Sequence, residues 1–266
     1  QKRHDDAYNS ALSLIDRDIN LSLCLKMNER LVAGWKEILL QRYNPSFTRY
    51  VYPQEHVFHE GSKILTLRGS IHVNSGYTWF LAIDETLRYK GEENFCVIEQ
   101  FIIGADRVKE EEVDLELYKI FAKENPQSVK PWCLLAHAYI KKGMISEAKS
   151  AVEKAILSGQ GQKDEAYKLQ AMVLYFEKNL ERALISISQA IFHNPARREY
   201  YFDKAVFLSE MGRHLEAWLS LNEASKQPER KPDYLDNPDC WNACFEKMLK
   251  KEKSLAKKEG IFHEQV

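Results

Sequence analysis

Small and apolar residues recur along the second half of this chain with two superimposed periods. Ala148, Ala183 and Ala217 stand 35 and 34 residues apart, and each is followed seven residues later by Ala155, Ala190 and Ala224. Two small residues seven apart lie two turns along one helix face, where a neighbouring helix can approach closely. The residues ahead of each pair keep the same register. They are Trp132, Leu135, Ala136, Tyr139 and Gly143, then Tyr167, Ala171 and Leu174, then Tyr201, Ala205, Leu208 and Gly212. Pro126 and Pro195 fall where one unit ends and the next begins. A period of 34 to 35 residues with this content predicts helix-turn-helix units stacked in a row.

The chain before these units is harder to read. From Asp5 to Gln41 apolar residues recur at helical spacing (Ala11, Leu14, Ile15, Leu21, Leu25, Trp35, Ile38, Leu39), and a helical stretch is expected. Asn44-Pro45 ends it, and Pro53 closes an aromatic-rich loop between Phe47 and Phe58. Residues 63–90 carry two patterns: KILTLRGSIHV and YTWFLAI are β-branched and aromatic enough for strands. Gly69, Gly76 and Ala82 also fall about where a degenerate repeat puts its contact residue, its turn and its second-helix alanine. Helices are the preferred expectation there, with a strand hairpin as the alternative. Phe95 to Pro126 reads as another degenerate helix pair, FCVIEQFIIGADR followed by VDLELYKIFAKENP. Past Ala224, Gln227 to Pro238 holds Pro228, Pro232 and Pro238 among charged residues and reads as a linker. Cys240 to Glu259 is helical and Lys-rich. A polar helix where stacking stops is the expected cap of such an array. A basic contact for an acidic partner or RNA backbone is the alternative, diluted by Glu246, Glu252 and Glu259.

The unit PWCLLAHAYIKKGMISEAKSAVEKAI, Pro131 to Ile156, and its two successors resemble the tetratricopeptide repeat (TPR) family. The resemblance implies an all-α, right-handed helical-hairpin solenoid with degenerate N-terminal repeats and a polar C-terminal capping helix. The expected division is a degenerate helical segment over 1–94 and repeats over 95–226, with clear units at 129–162, 164–197 and 198–226. A Pro-rich linker over 227–239 and a Lys-rich capping helix and tail over 240–266 complete it.

Composition narrows the chemistry. The 266 residues carry 38 basic and 39 acidic side chains, so net charge gives no reason to expect nucleic acid or an anionic membrane as the main partner. Five cysteines at 24, 96, 133, 240 and 244 do not cluster, which suits free structural thiols in a reducing compartment, cytoplasm or nucleus. No apolar run is long enough to span a membrane, and QKRHDDAYNS is not a signal peptide. The first residue is Gln1 and not Met, so a longer parent solenoid is one expectation. There is no phosphate-binding glycine loop and no zinc motif. Cys240 and Cys244 share a helix face but lack a second ligand pair, and His56 and His59 read as surface histidines. No nucleophile, base and orienting group stand together, so no enzyme activity, cofactor or metal is expected.

The family's ligand-contacting positions, the second, fifth, ninth, twelfth and thirteenth of each unit, fall on Lys130, Cys133, His137, Ile140 and Lys141 in the first unit. The second gives Glu165, Lys168, Met172, Tyr175 and Phe176, and the third Glu199, Phe202, Val206, Ser209 and Glu210. The resemblance therefore implies a groove for a peptide or helical segment of a partner protein. Its candidate contacts are Lys130, His137, Lys141, Lys168, Met172, Tyr175, Phe176 and Phe202. The alternative packs Tyr175, Phe176 and Phe202 between repeats or against a terminal segment. Chaperone-tail binding is not expected. The clamp that family members use for a terminal carboxylate would fall on Cys133, His137, Leu169, Glu199 and Asp203, which cannot hold an anion. The leading expectation is a non-enzymatic scaffold of a multiprotein assembly. The alternative is an accessory subunit of a nucleic-acid-processing complex such as one of RNA decay, suggested by the likeness of Ser186–Pro195 to repeats of an RNA-decay scaffold. Nucleic acid would then be met only through the complex.

Overall fold

The computed structural model describes residues 4–16, 18–24, 29–57, 63–80, 86–100, 103–105, 115–231 and 233–258. The chain divides into two compact units, residues 1–112 and 113–266.

The first unit is built mainly from strands. Helix α1 (His4–Ser13) is followed by β1 (Leu21–Leu23), β2 (Glu29–Leu31), α2 (Trp35–Arg42), β3 (Arg49–Val57) and β4 (Lys63–Val73). Strands β5 (Tyr77–Phe80), β6 (Thr86–Tyr89), β7 (Phe95–Val97) and β8 (Ile103–Ala105) complete it. One sheet has the order β1-β4-β3-β7, and β2–β8 and β5–β6 form two-stranded pairs. Tyr50, Tyr52, Ile71, Cys96 and Ile98 make a small core, with Trp35, Ile38 and Leu39 packed against it. Helix α1 packs on β5: Asn9 donates to the Trp79 carbonyl at 2.7 Å and accepts from the Trp79 amide at 2.8 Å.

The helical expectation for 63–90 is therefore wrong over the described residues, and so is that for FCVIEQFIIGADR, where β7 and β8 stand. Asp5–Gln41 is likewise interrupted by β1 and β2. The glycines that looked like repeat landmarks serve a sheet. A Cβ on Gly69 would lie 3.0 Å from the Arg49 side chain. That close approach lies beside the register shift between Tyr50 and Tyr52. Gly76 has φ +87, and a Cβ there would lie 2.5 Å from the Tyr89 ring. The β-branched and aromatic content was the stronger signal; along β4 exposure alternates, with Lys63, Leu65 and Leu67 exposed between half-buried neighbours. Ala82 lies outside the described residues.

The second unit is helical. After α3 (Leu115–Glu124) come three antiparallel pairs: α4 (Val129–Lys141) with α5 (Ile145–Leu157), α6 (Asp164–Phe176) with α7 (Leu180–His193), and α8 (Arg198–Glu210) with α9 (His214–Ser225). Each pair has the helix-turn-helix form expected of a stacked repeat, and the described residues are predominantly helical. All six register alanines, together with Ala136, Ala171 and Ala205, have no solvent exposure. At helix crossings a larger side chain would hold the axes apart, which is why this register stays small. The first and third turns use glycine in the left-handed region, Gly143 at φ 72 and Gly212 at φ 74. The second uses Lys178 at φ 61. Beyond α9 the chain runs irregularly to a 3-10 turn (Pro238–Cys240) and α10 (Ala243–Lys258), which packs on α9. Glu252 of α10 is fully buried, accepting from Ser209 at 2.9 Å and facing His214 Nδ1 at 2.7 Å.

Candidate functional site

The first helices α4, α6 and α8 are neighbours that share a face, and the residues expected as contacts belong to these helices. Much of that face is covered by the chain's own residues 233–245. The presumed linker is a docked segment. Asp233 sits in the fork of Arg197, with Nη1 and Nη2 donating to its two carboxylate oxygens at 2.5 and 2.6 Å. Arg197, just ahead of α8, is buried and also donates to Glu199 at 2.8 Å. The Tyr234 ring meets the His137 ring edge-on at 5.2 Å, and its hydroxyl donates to Glu165. Leu235 is buried in the helical core. Arg230 and Asp236 close the loop on itself with paired hydrogen bonds of 2.8 and 2.7 Å. Further on, Trp241 Nε1 donates to Glu199 at 3.3 Å, and the Arg198 guanidinium lies 4.6 Å from the Trp241 ring and 4.1 Å from the Phe245 ring.

Beneath this segment the groups are poorly solvated. Burial, then Lys168 and Lys141, push the His137 imidazole down to about 4. Burial pushes the Cys133 thiol and the Glu165 carboxyl up. Cys133 and His137 stand one turn apart on α4, yet these shifts run opposite to those of an activated thiolate–imidazolium pair. Lys168 is buried, donates to Met172 Sδ at 3.0 Å and lies 3.5 Å from Asp203. Burial also raises the Asp203 carboxyl, which Lys168 opposes.

The eight candidate contacts thus fall into two groups. Lys168 and Phe202 are enclosed and His137 lies half-buried against the Tyr234 ring; Phe202 is 8% exposed, with its ring 6.2 Å from that of Phe245. Lys130 and Lys141 are exposed at the two ends of α4, Met172 is half-buried, and Phe176 is 48% exposed. Tyr175 meets Phe176 edge-on at 5.7 Å, stacks on Phe207 at 5.2 Å and donates to Glu210. The aromatic neighbours of Tyr175 are Phe176 and Phe207, whereas Phe202 packs under α10. Asp233, Tyr234, Arg197 and Trp241 were missed from sequence. The available signal was Tyr234-Leu235 inside a proline-rich stretch, since a solvated linker has little use for an aromatic-aliphatic pair. A cleft of about 320 Å³ lies beside Asp233, lined in part by Lys130, Asp164, Glu165, Asn194, Arg197 and Lys231.

No family model and no curated protein matches the chain. Among solved structures it is similar to MamA, at 17% identity over 57% of this chain and 86% of that one, with a TM-score of 0.39. TTC0263, a thermophilic TPR protein of Thermus thermophilus, matches at 19% identity over 51% of this chain and 71% of its own, TM-score 0.43. YrrB, described as a TPR protein with an unusual peptide-binding site, matches at 22% identity over 53% and 75%, TM-score 0.37. The repeat assignment rests on the helix pairs and their buried alanines. Among the described residues no helix is long and apolar enough to cross a membrane.

Proposed function

We propose that the chain is a non-catalytic interaction scaffold that engages a protein partner through the first-helix face of its repeats and supports a larger assembly. One observation supports this most: the face is lined with specific polar and aromatic side chains, and its Tyr175–Phe176 end is left half open. An aromatic pair with the Lys178 ammonium 5.3 Å from the Tyr175 ring offers apolar area at small entropic cost and steers an acidic partner segment. Stacked helix pairs also present a preformed surface, so little ordering is needed on binding. The test is affinity capture from cell extract with the full chain and with Phe176→Ser, both shown to melt cooperatively. The reading expects at least one protein retained by the wild type and lost with Phe176→Ser. Identical capture by both, or none by either, would contradict it.

A further inference from the structure

The helices of the second unit hold a short loop of the same chain the way a receptor holds a ligand. Between Gln227 and Asn237 the described residues form no helix or strand, so the loop's position comes from its side chains. Three consecutive residues are each engaged by the helical unit. The Asp233 carboxylate takes the two-pronged fork of Arg197, whose side chain is 4% exposed and fixed from the other side by Glu199. Tyr234 meets His137 with its ring and Glu165 with its hydroxyl. Leu235 is 2% exposed. The loop is also self-contained. Arg230 and Asp236 bracket it, the Leu235 amide donates to Asp233 Oδ1 at 2.9 Å, and the Asp236 amide donates to the Asp233 carbonyl at 3.0 Å.

Two features suit a displaceable loop. The fixing contacts are mostly polar, with one fully buried aliphatic side chain and an aspartate that remains 32% exposed. A cleft of about 320 Å³, lined by Lys130, Asn194 and Lys231 among others, borders Asp233 and gives an incoming chain a place to start at the edge of the loop. By contrast α10 is anchored by the fully buried Glu252 and by Phe245 against Phe202, so releasing the loop does not require releasing the cap.

We propose that the face formed by α4, α6 and the start of α8 is a binding site for an acid–aromatic–aliphatic turn of a partner protein, and that Asp233-Tyr234-Leu235 is its displaceable intramolecular occupant. The proposal rests on the scaffold reading and names the ligand chemistry of that face. An occupant tethered in the same chain acts at high effective concentration, so a free peptide competes poorly until the loop is loosened.

The probe is a fluorescein-labelled peptide of residues 229–239, ERKPDYLDNPD, titrated into the full chain by anisotropy. The full chain carrying Asp233→Ser, Tyr234→Ser and Leu235→Ser together should bind it saturably at one to one. Wild type should bind at least tenfold more weakly, and a peptide with its Tyr replaced by Ala should lose at least tenfold on the triple variant. Absence of saturable binding by a triple variant that still melts cooperatively would overturn the proposal. Should that variant not fold, Tyr234→Phe, which keeps the ring and loses only the Glu165 hydrogen bond, replaces it. It should bind the peptide at least threefold more tightly than wild type, and equal binding would overturn the proposal. Wild-type dimers that form with rising concentration and vanish in Tyr234→Phe would give the face to a second copy and overturn it as well. Failure here alongside retained Phe176-dependent capture leaves the scaffold reading standing; failure of both removes both.

Discussion

Replacing Phe202 by alanine separates a buried ring from a surface anchor. The ring is 8% exposed and stacks against Phe245, itself 1% exposed, with the Arg198 guanidinium also against that second ring. The truncation therefore opens a cavity between α8 and α10, and a change of this kind costs about 3–5 kcal/mol. For a unit the size of residues 113–266, each kcal/mol lowers the melting temperature by about 2–4 °C, so a fall on the order of 10 °C follows. Phe176→Ala is the matched control: its ring is 48% exposed, and the loss should stay below about 1 kcal/mol. Urea unfolding of the full chain, followed by helical circular dichroism, measures both. The slope should stay constant while the midpoint moves. A Phe202→Ala midpoint within about 1 kcal/mol of wild type would refute the packing of α10 on α8 and return this ring to the surface.

Ala148→Leu should overpack the α4–α5 crossing and cost about 1–3 kcal/mol, measured by the same titration; an unchanged midpoint would mean the register is wrong. Lys178→Gly should stabilise the helical unit by about 0.5–1 kcal/mol, because Lys178 holds φ 61 where Gly143 and Gly212 serve the other turns. A melting temperature that falls would count against that strained turn. His137 is held neutral, its imidazole pushed down to about 4 from the ordinary 6.5. Between those two values the unfolded chain binds a proton that the folded chain refuses. Stability should therefore fall as pH drops through this window, by about 3 kcal/mol in full, and lose nothing more from this group below it. Midpoints at pH 7 and pH 4 for wild type and His137→Gln check this, with the variant expected to lose the smaller amount.

The repeats were legible because helix crossings demand small residues at a fixed period, and Ala148, Ala183 and Ala217 with their partners meet that demand without exception. The first unit was misread because Gly69 and Gly76 matched a repeat by spacing alone. Their actual constraints, a side chain crossing one and a ring lying against the other, are long-range and leave no periodic trace. The expected contact positions all fall on α4, α6 and α8 or directly beside them, since register fixes which helix a residue joins. What lies on that face was hidden. Tyr234 meets residues 97 and 69 positions earlier in the sequence, His137 and Glu165, and neither repeat period nor composition predicts such a return. Pro228 and Pro238 marked the absence of α-helix, and absence of α-helix was mistaken for absence of structure.

Docking of residues 233–235 on the first-helix face is the observation on which the account of that face's ligand turns, and a double-mutant cycle between Arg197→Ala and Asp233→Ala measures it most directly. The pair is doubly hydrogen-bonded, with the arginine side chain 4% exposed. Urea unfolding of wild type, both single variants and the double variant should give a coupling of at least about 1 kcal/mol, the scale of a hydrogen bond to a charged group. Additive losses, with coupling below about 0.3 kcal/mol, would mean that the segment does not rest on this face and would contradict the account.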